Sequence, residues 1–174
     1  PLHESYEKFY SFSREQAMQA VSYYREYYEE KGMFENEVYP GIKQLLRDLI
    51  KQGVLCLVAT SKPEIYAKKI LDYYELSNYF YYIAGANMDG TRTDKAEVIA
   101  YALKQIPAEY SNKKVLMVGD RSHDIIGAKK NGIDCAGVLF GYGSREELEE
   151  AGANFVADSV EAVKNIVFSD IARN

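Results

Sequence analysis

The chain has 174 residues, a net charge of −5 and 47% hydrophobic residues, enough for one core that buries roughly two-thirds of the unfolded surface. The acidic balance argues against general nucleic-acid or anionic-membrane binding. No apolar run approaches the roughly 20 residues that a bilayer span needs, and no secretory signal is present, so a cytoplasmic protein is expected, with neither nucleic acid nor membrane as partner.

In chain order, residues 1–33 read as helical. Ser13 and Gln16 have capping-box spacing, and Ala17, Ala20, Val21, Tyr24, Tyr27 and Tyr28 recur at helical intervals. Gly32 is a plausible stop, and residues 34–40 form a link. Ile42, Leu45, Leu46, Leu49 and Ile50 then mark a second helical stretch. Strands are expected at 54–60, near 80–84, and at 114–118, 134–139 and 154–157. Helices are expected at 62–74, 94–105, 123–131, 144–151 and 158–167. Strands alternating with helices of this length imply an α/β doubly wound parallel sheet with right-handed crossovers.

Two strand ends and one helix start carry the chemistry. The apolar run Val115-Leu116-Met117-Val118 leads through Gly119 to Asp120, with Asp124 one helical turn later. Two carboxylates at the carboxyl edge of a parallel strand suit a hard divalent cation, although Asp in that position is equally a turn former or helix cap. The run 54–59 delivers Thr60, Ser61 and Lys62. Ser61 and Glu64 have capping-box spacing, so a helix N-terminus with free N–H groups is expected there, suited to phosphate. Lys95 opens the helix after Thr93-Asp94. Capping explains Ser61 fully, and isolated lysines are usually solvated; the convergence of Thr60, Lys62 and Lys95 is what points to an anion.

The order Val58-Ala59-Thr60-Ser61-Lys62-Pro63, then Lys95, then Gly119-Asp120-Arg121-Ser122-His123-Asp124 followed by Ile125-Ile126-Gly127-Ala128, resembles the second, third and fourth motifs of haloacid dehalogenase-like phosphatases, the phosphoglycolate phosphatase branch above all. The similarity runs from Pro1-Leu2 to Ala151-Gly152-Ala153. It implies a Rossmann-like core over 34–174 and a partial helical cap over 1–33. It also implies that Thr60 and the Ser61 N–H hold the transferring phosphoryl group and that Lys95 neutralises it. Asp120 would bind Mg2+, and Asp124 would hold a metal-bound water or orient Lys95. The implied reaction is hydrolysis of a small phosphorylated metabolite, phosphoglycolate or a nucleoside monophosphate, by a monomer or homodimer. A noncatalytic phosphate- or partner-binding module on the same fold is the competing class.

One departure stands out. The family's nucleophile is the first aspartate of an Asp-x-Asp motif ending an N-terminal strand, and residues 1–33 contain no Asp. The aspartyl-phosphate is therefore expected to form on a carboxylate upstream of this chain, which reads as part of a longer protein. The core then lacks its first strand, which must leave two interior strands unpaired or paired with each other. Asp89, in Met88-Asp89-Gly90-Thr91, is read as a turn residue.

The remaining signals are bland. Cys56 and Cys135 lie in apolar runs and read as buried thiols of a reducing compartment; two cysteines and two histidines without ligand spacing make no zinc site. The tyrosine-rich stripe of residues 6–28 reads as packing for a small cap. Gly141-Tyr142-Gly143-Ser144 reads as a turn bordering the active site, with Ser144 and Glu147 as a capping box.

Overall fold

The computed structural model describes residues 2–171; Pro1, read above as the start of the cap segment, lies outside them. Two compact units emerge, Pro1–Glu37 and Val38–Asn174. No helix among the described residues is long and apolar enough to cross a membrane.

The first unit holds helices α1 (Leu2–Tyr10) and α2 (Arg14–Glu30) and a 3-10 turn at Gly32–Phe34. Ser13 caps α2 as its spacing predicts: Gln16 N donates to Ser13 Oγ at 3.2 Å, and Ser13 N donates to Gln16 Oε1 at 2.9 Å. The aromatic stripe departs from expectation. Ala17, Val21 and Met33 are buried, whereas Phe9 is 72% exposed and Tyr23 62% exposed. Small residues line the buried side of α2, and the rings stack on one another instead, Tyr6 on Phe12 and Tyr24 on Tyr28.

The second unit is the α/β part. Its elements are α3 (Ile42–Lys51), β1 (Leu57–Pro63), α4 (Glu64–Tyr73), β2 (Tyr82–Ala86), α5 (Lys95–Leu103), β3 (Leu116–Gly119), α6 (Ser122–Lys130), β4 (Asp134–Val138), α7 (Arg145–Glu150), β5 (Phe155–Ala157) and α8 (Val160–Ile171). All strand pairs are parallel, but they fall into two sheets, β1-β2 and β3-β4-β5. Among the described residues β1 and β3 exchange no ladder hydrogen bonds, so each keeps an open edge. The described residues thus show unpaired edges on β1 and β3 and no pairing of the two with each other.

The chain runs outward from β1 to β2, returns through α5, and runs outward again from β3 to β5. The gap between β1 and β3 is thus the topological switch point, where ligands of open α/β sheets bind. Helices bridge it: α5 packs on β1 and β2 and also on α6, which packs on β3 and β4. An apolar cluster of Leu45, Leu49, Val138, Ala157 and Val163, with Val54 and Cys56 against it, joins residues next to β1 to the other sheet.

Two boundaries differ in a way that matters. The expected strand 54–60 begins at Leu57 and extends to Pro63. Its register runs Leu57 to Tyr82, Val58 to Ile83 and Ala59 to Ala84, then jumps to Pro63 opposite Ala86. Four steps on β1 face two on β2, so Thr60, Ser61 and Lys62 bulge out of the ladder. Helix α4 consequently starts after Pro63, which caps it without a side-chain bond; the Ser61–Glu64 capping box does not form, because proline and the bulge intervene.

Leu148 anchors α7. It is fully buried with Ile125, Ala128 and Cys135, and a Cβ placed on Gly137 of β4 would fall 2.8 Å from its Cδ1. Leu148→Ala should cost about 2–5 kcal/mol of unfolding free energy in urea titration. A loss below about 1 kcal/mol would show that α7 is not seated on β4.

Candidate active site

Lys95 opens α5, and its helix start is secured by Asp94, whose Oδ1 accepts from Ala96 N at 2.9 Å. The lysine side chain turns to the switch point. Its Nζ donates to the Ala59 carbonyl of β1 at 3.1 Å and lies 2.9 Å from Asp124 Oδ1 on α6. One ammonium thus touches both sides of the interrupted sheet. A Cβ on Gly127 would meet Lys95 Cγ at 3.0 Å, so a glycine there is what lets the lysine stem pass along α6. An ammonium has three donors, and two of them are used by these contacts.

Among the described residues Asp124 is the one buried charged side chain of the core. Its Oδ1 meets Lys95, and its Oδ2 accepts from the N–H groups of Asp120 and Arg121, both at 3.1 Å. Both oxygens are therefore engaged within the chain. The geometry suits Asp124 as the group that orients Lys95 and closes the turn between β3 and α6.

Asp120 is held differently. Tyr142 N donates to its Oδ2 at 2.9 Å, and Gly143 N donates to its carbonyl at 2.9 Å. The loop carrying these donors approaches so closely that a Cβ on Gly143 would lie 2.2 Å from the Asp120 carbonyl oxygen, and one on Gly141 2.3 Å from Asp120 Cβ. The Gly141-Tyr142-Gly143-Ser144 turn does border the site, as a cradle for this aspartate. Asp120 Oδ1 keeps no protein partner among the described residues.

Glu147, read from the sequence only as the capping-box partner of Ser144, completes this arrangement. Ser144 caps α7 by accepting from Glu147 N at 3.2 Å, but the Glu147 carboxylate does not return to Ser144 as a capping box would require. It reaches to α6 instead, where its Oε1 accepts from Ser122 N at 2.8 Å and Arg121 Nε at 3.0 Å. An unpaired N–H at a helix start attracts a carboxylate, and that signal lies 25 residues away in sequence.

On the β1 side, Thr60 Oγ1 accepts from Lys62 N at 3.2 Å. A hydroxyl that accepts there retains its own proton to donate elsewhere. Ser61 is exposed on the bulge. Asp89 behaves as the turn residue expected, its Oδ1 accepting from Thr91 N at 2.9 Å and Thr91 Oγ1 at 2.7 Å. Cys56 and Cys135 are both free thiols, and burial pushes the Cys56 thiol up.

The donor set fits a hard cation only in part. Asp120 Oδ1 is a suitable carboxylate ligand, but Asp124 has no uncommitted oxygen, and no cluster of three potential ligands occurs among the described residues. Further ligands would have to come from elsewhere.

The chain is similar to several known proteins. The family model of haloacid dehalogenase-like hydrolases matches residues 1–138. A 5'-nucleotidase of Pseudomonas aeruginosa is 37% identical over 171 residues, 97% of this chain and 76% of that protein. Tyrosine-protein kinase PtkA of Mycobacterium tuberculosis is 40% identical over 142 residues, 82% of this chain and 48% of that protein. A phosphoglycolate phosphatase of Pseudomonas fluorescens is 32% identical over 125 residues, 71% of this chain and 44% of that protein. The chain thus spans from under half to about three quarters of these relatives. The crystal structure of a Clostridium difficile protein assigned as a phosphatase superposes with a TM-score of 0.89 at 49% identity, over 96% of this chain and 77% of that one.

The clamp on α6 has a pH signature. The Ser122 N–H first, then the Arg121 guanidinium and the Ser122 side chain, hold the Glu147 carboxyl down at about 2, from an ordinary 4.5. A depressed carboxyl stabilises the fold fully above its unfolded value and loses that contribution as pH falls through the folded one. Glu147→Gln should therefore lower the melting temperature at neutral pH, with a gap from the parent that shrinks between pH 4.5 and about 2. A gap that stays constant over that interval would contradict the clamp.

Proposed function

The chain belongs to the haloacid dehalogenase-like hydrolase family, in its phosphoglycolate phosphatase-like branch, and from that premise we propose that it is the phosphate-binding core of a Mg2+-dependent phosphatase acting on a small phosphomonoester, with phosphoglycolate and nucleoside monophosphates as the substrate classes. The observation that carries this reading is Lys95, whose ammonium bridges the end of β1 and Asp124, beside the bulged Thr60-Ser61-Lys62.

Phosphoryl transfer asks a protein mainly to position the reactants and to place positive charge and donors around three anionic oxygens. In this reading the Thr60 hydroxyl donates to one phosphoryl oxygen, the Ser61 N–H to another, and Lys95 supplies the countercharge. Asp124 keeps Lys95 aimed. Asp120 offers Oδ1 as one ligand to Mg2+, which supplies Lewis-acid stabilisation when bound. The nucleophile is assigned to a carboxylate on a strand that occupies the gap between β1 and β3, encoded upstream of residue 1. That placement rests on the open edges of the two sheets and on the absence, among the described residues, of another carboxylate beside Lys95. Residues 1–33 are read as part of the helical cap and 34–174 as the core.

The test is release of inorganic phosphate from phosphoglycolate and from nucleoside monophosphates by the full-length protein, with and without Mg2+. Metal-dependent release is expected, and Asp120→Asn should abolish it. Thr60→Val, which removes one hydroxyl at nearly constant volume, should cost about 2–4 kcal/mol in kcat/KM. Parental turnover in both variants would reject the assignment of these residues, and no phosphate release by the parent would favour the noncatalytic module.

A further inference from the structure

Lys95 can serve this site only if the start of α5 is held in place; α5 packs against β1, β2 and α6, and the segment feeding it supplies further ties. That segment, residues 87–94, is closed on itself: Asn87 N donates to the Thr91 carbonyl at 3.1 Å and Asn87 Nδ2 to Thr91 Oγ1 at 2.7 Å. Beyond these internal bonds, Arg92 ties it to the sheet. Its Nε donates to the Gly85 carbonyl of β2 at 2.8 Å, and its Nη2 donates to Asn87 Oδ1 at 2.8 Å and lies 3.4 Å from Glu64 Oε2 at the start of α4. Its guanidinium lies 3.7 Å from the ring centroid of Tyr101 on α5 itself. The Tyr101 hydroxyl is in turn 2.7 Å from that of Tyr82 on β2. One planar fork therefore touches β2, α4 and α5, three residues before Lys95.

The backbone shows that this placement is imposed. Arg92 has φ 51°, a left-handed conformation that costs any residue with a Cβ and persists only where the surroundings hold it. Glycine would adopt that turn with less strain, yet it would bring no guanidinium to Gly85, Glu64 and Tyr101. Lysine would replace it only in part, since its ammonium keeps the charge but lacks the planar fork that donates in fixed directions while stacking on a ring.

We propose that Arg92 is a positioning residue that sets Lys95 by fixing α5 on the ends of β2 and α4. This rests on the phosphatase reading of the site. Misplacement of a reacting group by about 1 Å is enough to cost on the order of 100-fold in rate, so a clamp remote from the phosphate can govern turnover without touching it.

The experiment is a kinetic cycle in the full-length protein with Arg92→Met, Arg92→Lys, Lys95→Met and the double variant Arg92→Met/Lys95→Met. Circular dichroism melts run alongside, so that the folded fraction at the assay temperature is known for each. Arg92→Met should lower kcat per folded molecule by about 10- to 100-fold, and Arg92→Lys should recover part of that loss. In the Lys95→Met background the same change should cost less than about twofold, because the clamp acts through the lysine. A Lys95→Met variant of much reduced but measurable turnover combined with parental kcat in Arg92→Met overturns the clamp alone. So does an equal loss in both backgrounds, which would mark Arg92 as purely structural. Parental turnover in Lys95→Met overturns the reading of the site and the clamp with it.

Discussion

A lysine and an aspartate buried 2.9 Å apart hold together what the hydrogen-bond ladder does not. Taking two charges out of water is costly, and their attraction offsets the cost only when the remaining donors and acceptors are also satisfied. Here they are: Lys95 has the Ala59 carbonyl, and Asp124 has two backbone N–H groups. Such a pair is weak evidence of stability for its own sake. Its value lies in location, because α5 belongs with β1 and β2 whereas α6 belongs with β3 and β4. The ion pair adds a polar tie between the two sheets to the α5–α6 packing and the apolar cluster that also join them.

The elements around it serve that register. Gly127 lets the lysine stem through, Asp94 caps the helix that carries it, and Arg92 anchors the approach to that helix. On the far side, Glu147 caps α6 while Tyr142 and Gly143 grip Asp120, so the turn from β3 to α6 is pinned from two directions. Phosphoryl transfer gains most from groups already in place before the substrate arrives. A site made from strand ends and helix starts, with a bulge presenting Thr60 and Ser61, has that character.

Much of this was legible in the sequence because strand ends leave local marks. An uncharged run that stops at a polar residue, followed by helical periodicity, marked Thr60, Asp120 and Asp124, and Lys95 was read at the start of a helix, with element types that hold in the structure. Local capping rules were less secure. Ser13 and Gln16 close their box, but Ser61 is drawn into a bulge and Glu147 spends its carboxylate on a helix 25 residues away. Spacing proposes such bonds, and tertiary competition decides them. Arg92 gave no signal at all: its partners Gly85, Glu64 and Tyr101 are brought together only by the fold. The exposed rings of the first unit were misread for a related reason, since helical periodicity identifies a stripe without saying what covers it.

The central claim is that Lys95 and Asp124 act as one unit joining the two sheets, and a double-mutant cycle on unfolding free energy addresses it directly. Urea titrations of the parent, Lys95→Met, Asp124→Asn and the double variant give the coupling. The account predicts that the two single losses together exceed the loss in the double variant by about 1–3 kcal/mol, because each single change leaves a buried charge without its partner. Additivity within about 0.5 kcal/mol would mean that the two residues are independent, and that the α5–α6 packing and the apolar cluster join the sheets without this ion pair.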